Sequence, residues 1–355
     1  MSEYSVLRRN WRLLVNVITV VALVLLIYLI RDQIVETYQN LSKINLWVVS
    51  LIIPLTLLSY HAQTKLYQDL FRLLGNKLTY KFLFRAALEL NFVNSVFPSG
   101  GVSGISYFGV RMRTVDITGT RASLVQIVKL LLLFVSFEVL LIFGLLLMAL
   151  EGQANDLIIL VAGSVSTLLI VGTVGFVLVI GSETRIHATF TSLAKAINKF
   201  VHFFRRHKPE TISMARAEHI VKDLHHSYKL IEANYKGLIW PLIWAMVVNI
   251  TAILSIYAVY VAFGEWVNIG AIILAYSVAN FAGLISVLPG GIGVYEALMT
   301  GVLAASGIPA ALSLPVTVMF RVISTLIQLP PGYILYHQTL RRSGIDEQTV
   351  HAKTL

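Results

Sequence analysis

The chain has 355 residues, 57% of them hydrophobic and 13% charged, about half the charged share of a soluble domain, so a water-soluble globular protein is excluded. It contains no cysteine, which removes disulfides and thiolate metal sites and leaves the redox compartment unread. The formal net charge of +10 is concentrated in particular connections, so it speaks to topology before it speaks to nucleic acid.

Apolar runs long enough to cross a bilayer, which takes about 20 residues, sit at roughly 11 to 30, 46 to 64, 122 to 150, 157 to 181, 237 to 263 and 312 to 336. The first follows a basic start, Met1 to Arg12, and ends in Leu29-Ile30-Arg31-Asp32 without a small-residue cleavage site, so it reads as an anchor rather than a removed signal. Two further apolar stretches, 86 to 110 and 267 to 306, are broken in the middle. The first break is Phe97-Pro98-Ser99-Gly100-Gly101-Val102-Ser103-Gly104 and the second is Leu288-Pro289-Gly290-Gly291-Ile292-Gly293. Proline removes an amide donor and clashes with the preceding turn, while glycine relaxes the backbone. The amide and carbonyl groups so freed are tolerated at membrane depth only inside protein or beside a wet cavity. The arm that restarts after each break also offers bare amides to an anion such as a lipid phosphate.

Lys and Arg set the orientation. Residues 65 to 85, 111 to 121 and the tail are basic, and 182 to 236 carry ten basic residues against five acidic. Residues 31 to 45 are neutral, and 151 to 156 and 264 to 268 hold only acids. Basic loops stay in the cytoplasm, and these assignments agree only if 86 to 110 enters from the cytoplasm and returns to it. The first break is therefore expected at the tip of a re-entrant hairpin, whose arms of about 12 residues are too short to cross separately at about 1.5 Å per residue.

Asn91-Phe92 before Pro98-Ser99-Gly100-Gly101 matches Asn280-Phe281 before Pro289-Gly290-Gly291, and the two prolines lie 191 residues apart. Shifted by that distance, the spans at 46 to 64 and 122 to 150 fall close to those at 237 to 263 and 312 to 336. The expected fold is an all-α polytopic membrane protein, with about six full transmembrane helices plus two re-entrant helical hairpins in an inverted-topology repeat. Residues 1–340 form one transmembrane domain with repeats at about 46–150 and 237–340. Residues 182–236 form a cytoplasmic amphipathic helical insertion, and 341–355 a short cytoplasmic tail. Paired discontinuous segments of this kind point to a midplane binding site in transporters.

Between Trp266 and Phe320 the only charge is Glu296, while Arg321, Glu138 and Lys129 also sit within apolar spans. Ionisable residues at depth cost several kcal/mol and default to functional hypotheses with named partners. The expected pairs are Glu296 with Arg321 and Lys129 with Glu138, either as structural ties or with the cations attracting an anionic headgroup. The backbone of Pro98, Gly100, Gly101, Pro289, Gly290, Gly291 and Gly293 completes the candidate binding set, together with Asn91 and Asn280.

Gly101-Val102-Ser103-Gly104 matches the Gly-x-Ser-Gly of rhomboid-like intramembrane proteases, but a serine nucleophile needs a base within reach. The later spans hold no histidine except His337 at the end of the last, and His61 precedes the serine. The histidines from 187 to 226 show no metal-ligand spacing, so no cofactor or metal is expected. Leu193, Ile197, Phe200, Val201 and Phe204 form an apolar stripe beside Lys195, Lys199, Arg205 and Arg206, which reads as a helix lying on the anionic inner leaflet. A second amphipathic helix is expected through Ile212, Val221, Leu224, Tyr228 and Ile231. Charge apart, nothing here indicates nucleic acid.

With Asn280, Pro289-Gly290-Gly291-Ile292-Gly293-Val294-Tyr295-Glu296 and Arg321 in this order, the chain resembles the lysylphosphatidylglycerol synthase transmembrane family, also called flippase-like, over about 11 to 336. Its best-known members are the multiple peptide resistance factors. The resemblance implies movement of a polar-headgroup phospholipid or a lipid-linked glycan between leaflets, with membrane lipids as partners. In bifunctional relatives a separate cytoplasmic domain makes the lipid from aminoacyl-tRNA. Only about 19 residues follow the last span here, so a transporter rather than a lysyltransferase is expected. The alternatives are a membrane scaffold for a separate lipid synthase or glycosyltransferase, and an enzyme acting on lipid at the hairpins. The expected location is the bacterial or archaeal cytoplasmic membrane, with both termini inside. A homodimer is compatible with the sequence, which leaves oligomeric state unread.

Overall fold

The computed structural model describes residues 31–40, 44–97, 102–189, 214–285 and 291–352, with Val21, Val24, Tyr28 and Ser192 besides. Among the described residues every regular element is helical and there is no strand. In chain order these are α1 (Leu46–Ser50), α2 (Ile52–Leu73), α3 (Tyr80–Val96), α4 (Val102–Arg113), α5 (Gly119–Leu150), α6 (Asp156–Ile180) and α7 (Met214–Ala233). A 3-10 turn, Tyr235–Leu238, leads into α8 (Ile239–Ala262), followed by α9 (Ile269–Ile285), α10 (Val294–Ala305) and α11 (Ala310–Ala352). Five segments are long and apolar enough to cross a membrane: Leu46–Leu73, Gly119–Leu150, Asp156–Ile180, Tyr235–Ala262 and Ala310–Arg341. The first expected span, 11 to 30, falls outside the described residues apart from Val21, Val24 and Tyr28.

Local sequence explains several boundaries. Asn45, Thr118 and Asn155 sit in extended conformation ahead of α1, α5 and α6, and each side chain accepts an amide proton from the first turn. Such caps satisfy donors that a helix start otherwise leaves open. Two boundaries differ from the sequence expectation. The basic connection read at 65 to 85 shrinks to 74–79, because α2 runs on to Leu73 and α3 begins at Tyr80. Lys65, Arg72, Lys81 and Arg85 are carried on helix ends, which hydropathy does not register because a helix need not stop where its apolar face stops. Residues 31–40, read as a neutral connection, are helical, with Ile34 packed against Phe92, Val93, Val96 and Tyr336.

After the 191-residue shift between the two prolines, the spans Leu46–Leu73, α3, α4 and Gly119–Leu150 match Tyr235–Ala262, α9, α10 and Ala310–Arg341 within two residues at every end. Packing follows the same correspondence. Helices α2 and α8 pack along each other at the centre, α3 packs on α11, and α9 packs on α5. The first arm of each hairpin thus seats on the long helix of the opposite half, and the second arm on that of its own half. Helix α6 turns Leu157, Leu160, Leu168, Val171, Val174 and Leu178 outward, as a lipid-facing helix does.

Both exchanged crossings rest on glycine. A Cβ on Gly332 would lie 2.6 Å from Phe92 Cβ and 2.8 Å from the Leu88 carbonyl oxygen. A Cβ on Gly144 would lie 3.1 Å from Ile273 Cβ and 3.3 Å from the Gly270 oxygen. Close approach at small residues is how helices associate where lipid is as apolar as the protein. Gly332→Ala is therefore expected to destabilise by about 1–3 kcal/mol through overpacking, seen as a lower melting temperature in detergent. Gly172→Ala on α6, with no atom within 4 Å, is expected to leave it unchanged or raised.

Candidate binding cleft and its charged supports

Helix α2 presents Thr56, Ser59, Tyr60 and Gln63 at i, i+3, i+4 and i+7, one stripe on one face. Helix α8 presents Thr251 and Ser255, α11 presents Ser324 and Gln328, and α3 adds Asn91. These nine polar side chains, with Leu55, Ala252 and Phe320, enclose a cavity of about 70 Å³. Asn91 Nδ2 donates to Gln63 Oε1 at 3.4 Å and Gln63 Nε2 reaches Ser59 Oγ at 3.5 Å. Thr251 and Ser255 donate back to carbonyls of their own helix at 2.8 and 2.7 Å. Their oxygens remain acceptors, while the amides and the tyrosine supply donors. Spans otherwise built from Leu, Ile and Val thus converge polar groups on one space at the α2–α8 crossing, large enough for water.

Arg321 lies one turn before Ser324 on α11, and the structure brings it together with Glu296. Its Nη1 donates to Glu296 Oε1, and its guanidinium carbon is 4.8 Å from the Tyr295 ring centroid. The other carboxylate oxygen accepts the Gly293 amide at 2.7 Å, and Gln33 Nε2 donates to Oε1 at 3.2 Å. Glu296 is 5% exposed and therefore does three things: it caps the helix restarting after the break, neutralises Arg321 and ties down the 31–40 helix. The cap needs Gly291 and Gly293, whose φ of +68° and +86° lie where side chains with a Cβ are strained. Pro98, Gly100, Gly101, Pro289 and Gly290 fall outside the described residues.

The structure does not bring Lys129 and Glu138 together. Lys129 Nζ donates to Tyr67 OH at 2.8 Å and sits 4.8 Å from the centroid of that ring. Tyr67 donates in turn to Gln126 Oε1 at 3.1 Å. The two residues are nine positions apart, so helical rotation places them on different faces. A tyrosine from α2 meets the ammonium first. Glu138 is half-buried and its Oε2 has no hydrogen-bond partner among the described residues. Asn280 Nδ2 bonds to the Tyr276 carbonyl of its own helix at 2.9 Å, and Asn249 ties α8 to α5 through Ser136 Oγ at 3.0 Å.

A second charged cluster was missed from sequence. Glu89, 1% exposed on α3, accepts from Tyr107 OH at 2.7 Å and Arg111 Nε at 2.9 Å, both on α4, and from Thr339 Oγ1 at 2.7 Å on α11. It clips both arms of the first hairpin to the opposite half. Its one sequence signal was spacing: Glu89 stands nine residues before Pro98 and Arg111 ten after Gly101, which is where antiparallel arms face each other.

The Gly-x-Ser-Gly gains a packing explanation. A Cβ on Gly104 would lie 1.9 Å from Asn94 Oδ1, so the arms close only over glycine. His61 is held by Tyr80 OH at 2.9 Å, and His337 packs against Tyr333 and Tyr336. Leu224, Tyr228 and Ile231 of α7 pack against the core formed with α5, and His225 Nδ1 lies 3.3 Å from the Ile180 carbonyl. The stripe at 193–204 lies outside the described residues, as do Ile212 and the side chain of Val221.

A UPF0104 membrane protein of Methanothermobacter thermautotrophicus is 37% identical over 71 residues, which is 20% of this chain and 21% of that protein's length. The family model described as the lysylphosphatidylglycerol synthase TM region matches residues 14–332, so the chain belongs to that membrane family.

Proposed function

We propose that the protein moves a polar-headgroup phospholipid, or a lipid-linked glycan, between membrane leaflets, the headgroup passing through the polar cleft at the α2–α8–α11 crossing. The observation that carries this reading is the cleft itself: nine polar side chains on four helices converge in otherwise apolar spans, one helical turn from Arg321. Polar groups at membrane depth are costly and accumulate along substrate paths. Positive-inside counting supports placing 65–85, 111–121, 182–236 and both termini in the cytoplasm. On that placement the hairpin α3–α4 enters from the cytoplasm and α9–α10 from outside, an inverted repeat with the cleft at its centre. The helix 31–40, bonded through Gln33 to Glu296, closes the site beside the second break.

The protein acts here as a transporter, with an anionic or zwitterionic lipid as cargo and the bacterial or archaeal cytoplasmic membrane as location. The test is reconstitution into liposomes with headgroup-labelled phosphatidylglycerol and an outside quencher. Wild type is expected to expose the inner-leaflet label. Gln63→Leu with Gln328→Leu is expected to slow exposure about tenfold, since losing about 1.4 kcal/mol of hydrogen bonding is a factor of ten. Wild-type protein that moves no lipid from a panel of anionic, zwitterionic and glycan-linked species would overturn translocation and favour a scaffold for a separate lipid-modifying enzyme.

A further inference from the structure

A second cavity, larger than the cleft, lies elsewhere. Helices α4 and α5 meet at a tight elbow and diverge from it, leaving a space of about 900 Å³, within the usual size range of small-molecule sites. On α4 its wall is the stripe of Ser106, Gly109 and Arg113; on α5 it is Thr120 and Ser123. Leu224 of α7 borders it as well.

The elbow carries one exposed cation. Arg113 Nη2 lies 3.2 Å from where a Cβ on Gly119 would stand, so the guanidinium rests against the bare backbone at the start of α5. Unlike Arg111, which is engaged with Glu89, the Arg113 side chain has no hydrogen-bond or ion-pair partner among the described residues. Asp116, at φ +59° in the connection, also borders the cavity and leaves its formal charge near balance. A polyanion is disfavoured there, whereas a single phosphate on a hydroxyl- or amine-bearing group fits. Guanidinium and hydroxyl donors suit phosphate oxygens. The source of that phosphate is indicated by the rim. Ile105 and Val110 on α4 are 39% and 63% exposed, so an acyl chain leaving the site would run along apolar side chains.

We infer that the α4–α5 cavity binds the phosphate of a single phospholipid headgroup through Arg113, with the acyl chains lying across Ile105 and Val110. This site is separate from the cleft and does not depend on whether lipid crosses there. The arginines at positions 111, 113 and 121 place the site, by the same charge rule, at the cytoplasmic leaflet.

The absence of cysteine makes a clean test available. Ser123→Cys places one thiol in the cavity wall, Thr120→Cys is a second reporter, and Gln153→Cys on the far connection is the control. Each is purified in phosphate-free detergent, checked by thermal unfolding, and labelled with a water-soluble maleimide. Phosphatidylglycerol at about ten times its Kd is expected to slow labelling at Ser123→Cys roughly tenfold by mass action, leaving Gln153→Cys unaffected. Diacylglycerol, which lacks phosphate, is expected to have no effect, and Arg113→Gln in the same background is expected to abolish the slowing. Equal slowing by inorganic phosphate would overturn the lipid source and assign the site to a soluble phosphate. No slowing at either reporter, slowing by diacylglycerol, or slowing that survives Arg113→Gln would overturn the site.

Discussion

Glu296→Ala is expected to destabilise the protein by about 3–5 kcal/mol, because removing one partner of a desolvated ion pair costs more than the pair contributes. Glu296 and Arg321 side chains are 6% and 17% exposed, so water does not take over the neutralising role. The same change removes the acceptor for the Gly293 amide, which opens α10, and the bond to Gln33. Glu296→Gln keeps a carbonyl oxygen for Gly293 but no charge for Arg321, so its loss is expected to be smaller. The double change Glu296→Ala with Arg321→Met is expected to recover part of the loss, since no guanidinium is then left without its carboxylate. Thermal unfolding in detergent reads all three. A Glu296→Ala protein that melts like wild type would remove the pair from any role in holding the hairpin. A transport defect in Glu296→Gln at preserved stability would instead assign the carboxylate to headgroup passage.

An effect of similar size is expected at Glu89. Three donors from two helices converge on a side chain that is 1% exposed, and Glu89→Ala strips all of them of their shared acceptor. The expected loss is about 3–5 kcal/mol. Glu89→Gln is expected to recover part of it, because a carboxamide oxygen still accepts from Arg111 and Tyr107 and the Thr339 hydroxyl can accept from the amide, while Arg111 loses its counter-charge. The comparison is Arg72→Ala. Arg72 bonds Asp69 at 3.1 Å but is 64% exposed, and a surface pair of this kind is worth about 0–1 kcal/mol. If Glu89→Ala and Arg72→Ala lower the melting temperature equally, the α3–α4 hairpin is held by packing alone, through contacts such as Phe92 on Gly332.

The two carboxylates divide similar work between the halves. Glu296 joins the second arm of its hairpin to the following span, while Glu89 joins both arms of the other hairpin to the opposite half. Neither is free in the described structure to receive cargo, which leaves the uncharged cleft as the candidate path.

Sequence alone determined the class of protein, the long apolar helices and the two interruptions. Each of these is a local property: a run of apolar side chains, or a proline and two glycines that no helix continues through smoothly. It also singled out Glu296 and Arg321, because a lone acid and a lone base in a long apolar stretch have few candidates for partners. Tertiary structure alone decided the rest. That Tyr67 meets Lys129 was decided by how α2 packs on α5, whereas the separation of Lys129 from Glu138 follows from their nine-residue spacing on one helix. Glu89 was concealed because an average over Ala86 to Phe92 is apolar even with a carboxylate inside. The cleft was concealed because Thr56, Ser59 and Gln63 are ordinary polar residues along α2 until α8 and α11 cross in front of them. Helices can slide and turn against one another without altering a single hydropathy window, and tertiary contacts such as the close crossings at Gly144 and Gly332 and the bonds of Asn249 and Glu89 hold the register that gathers those groups.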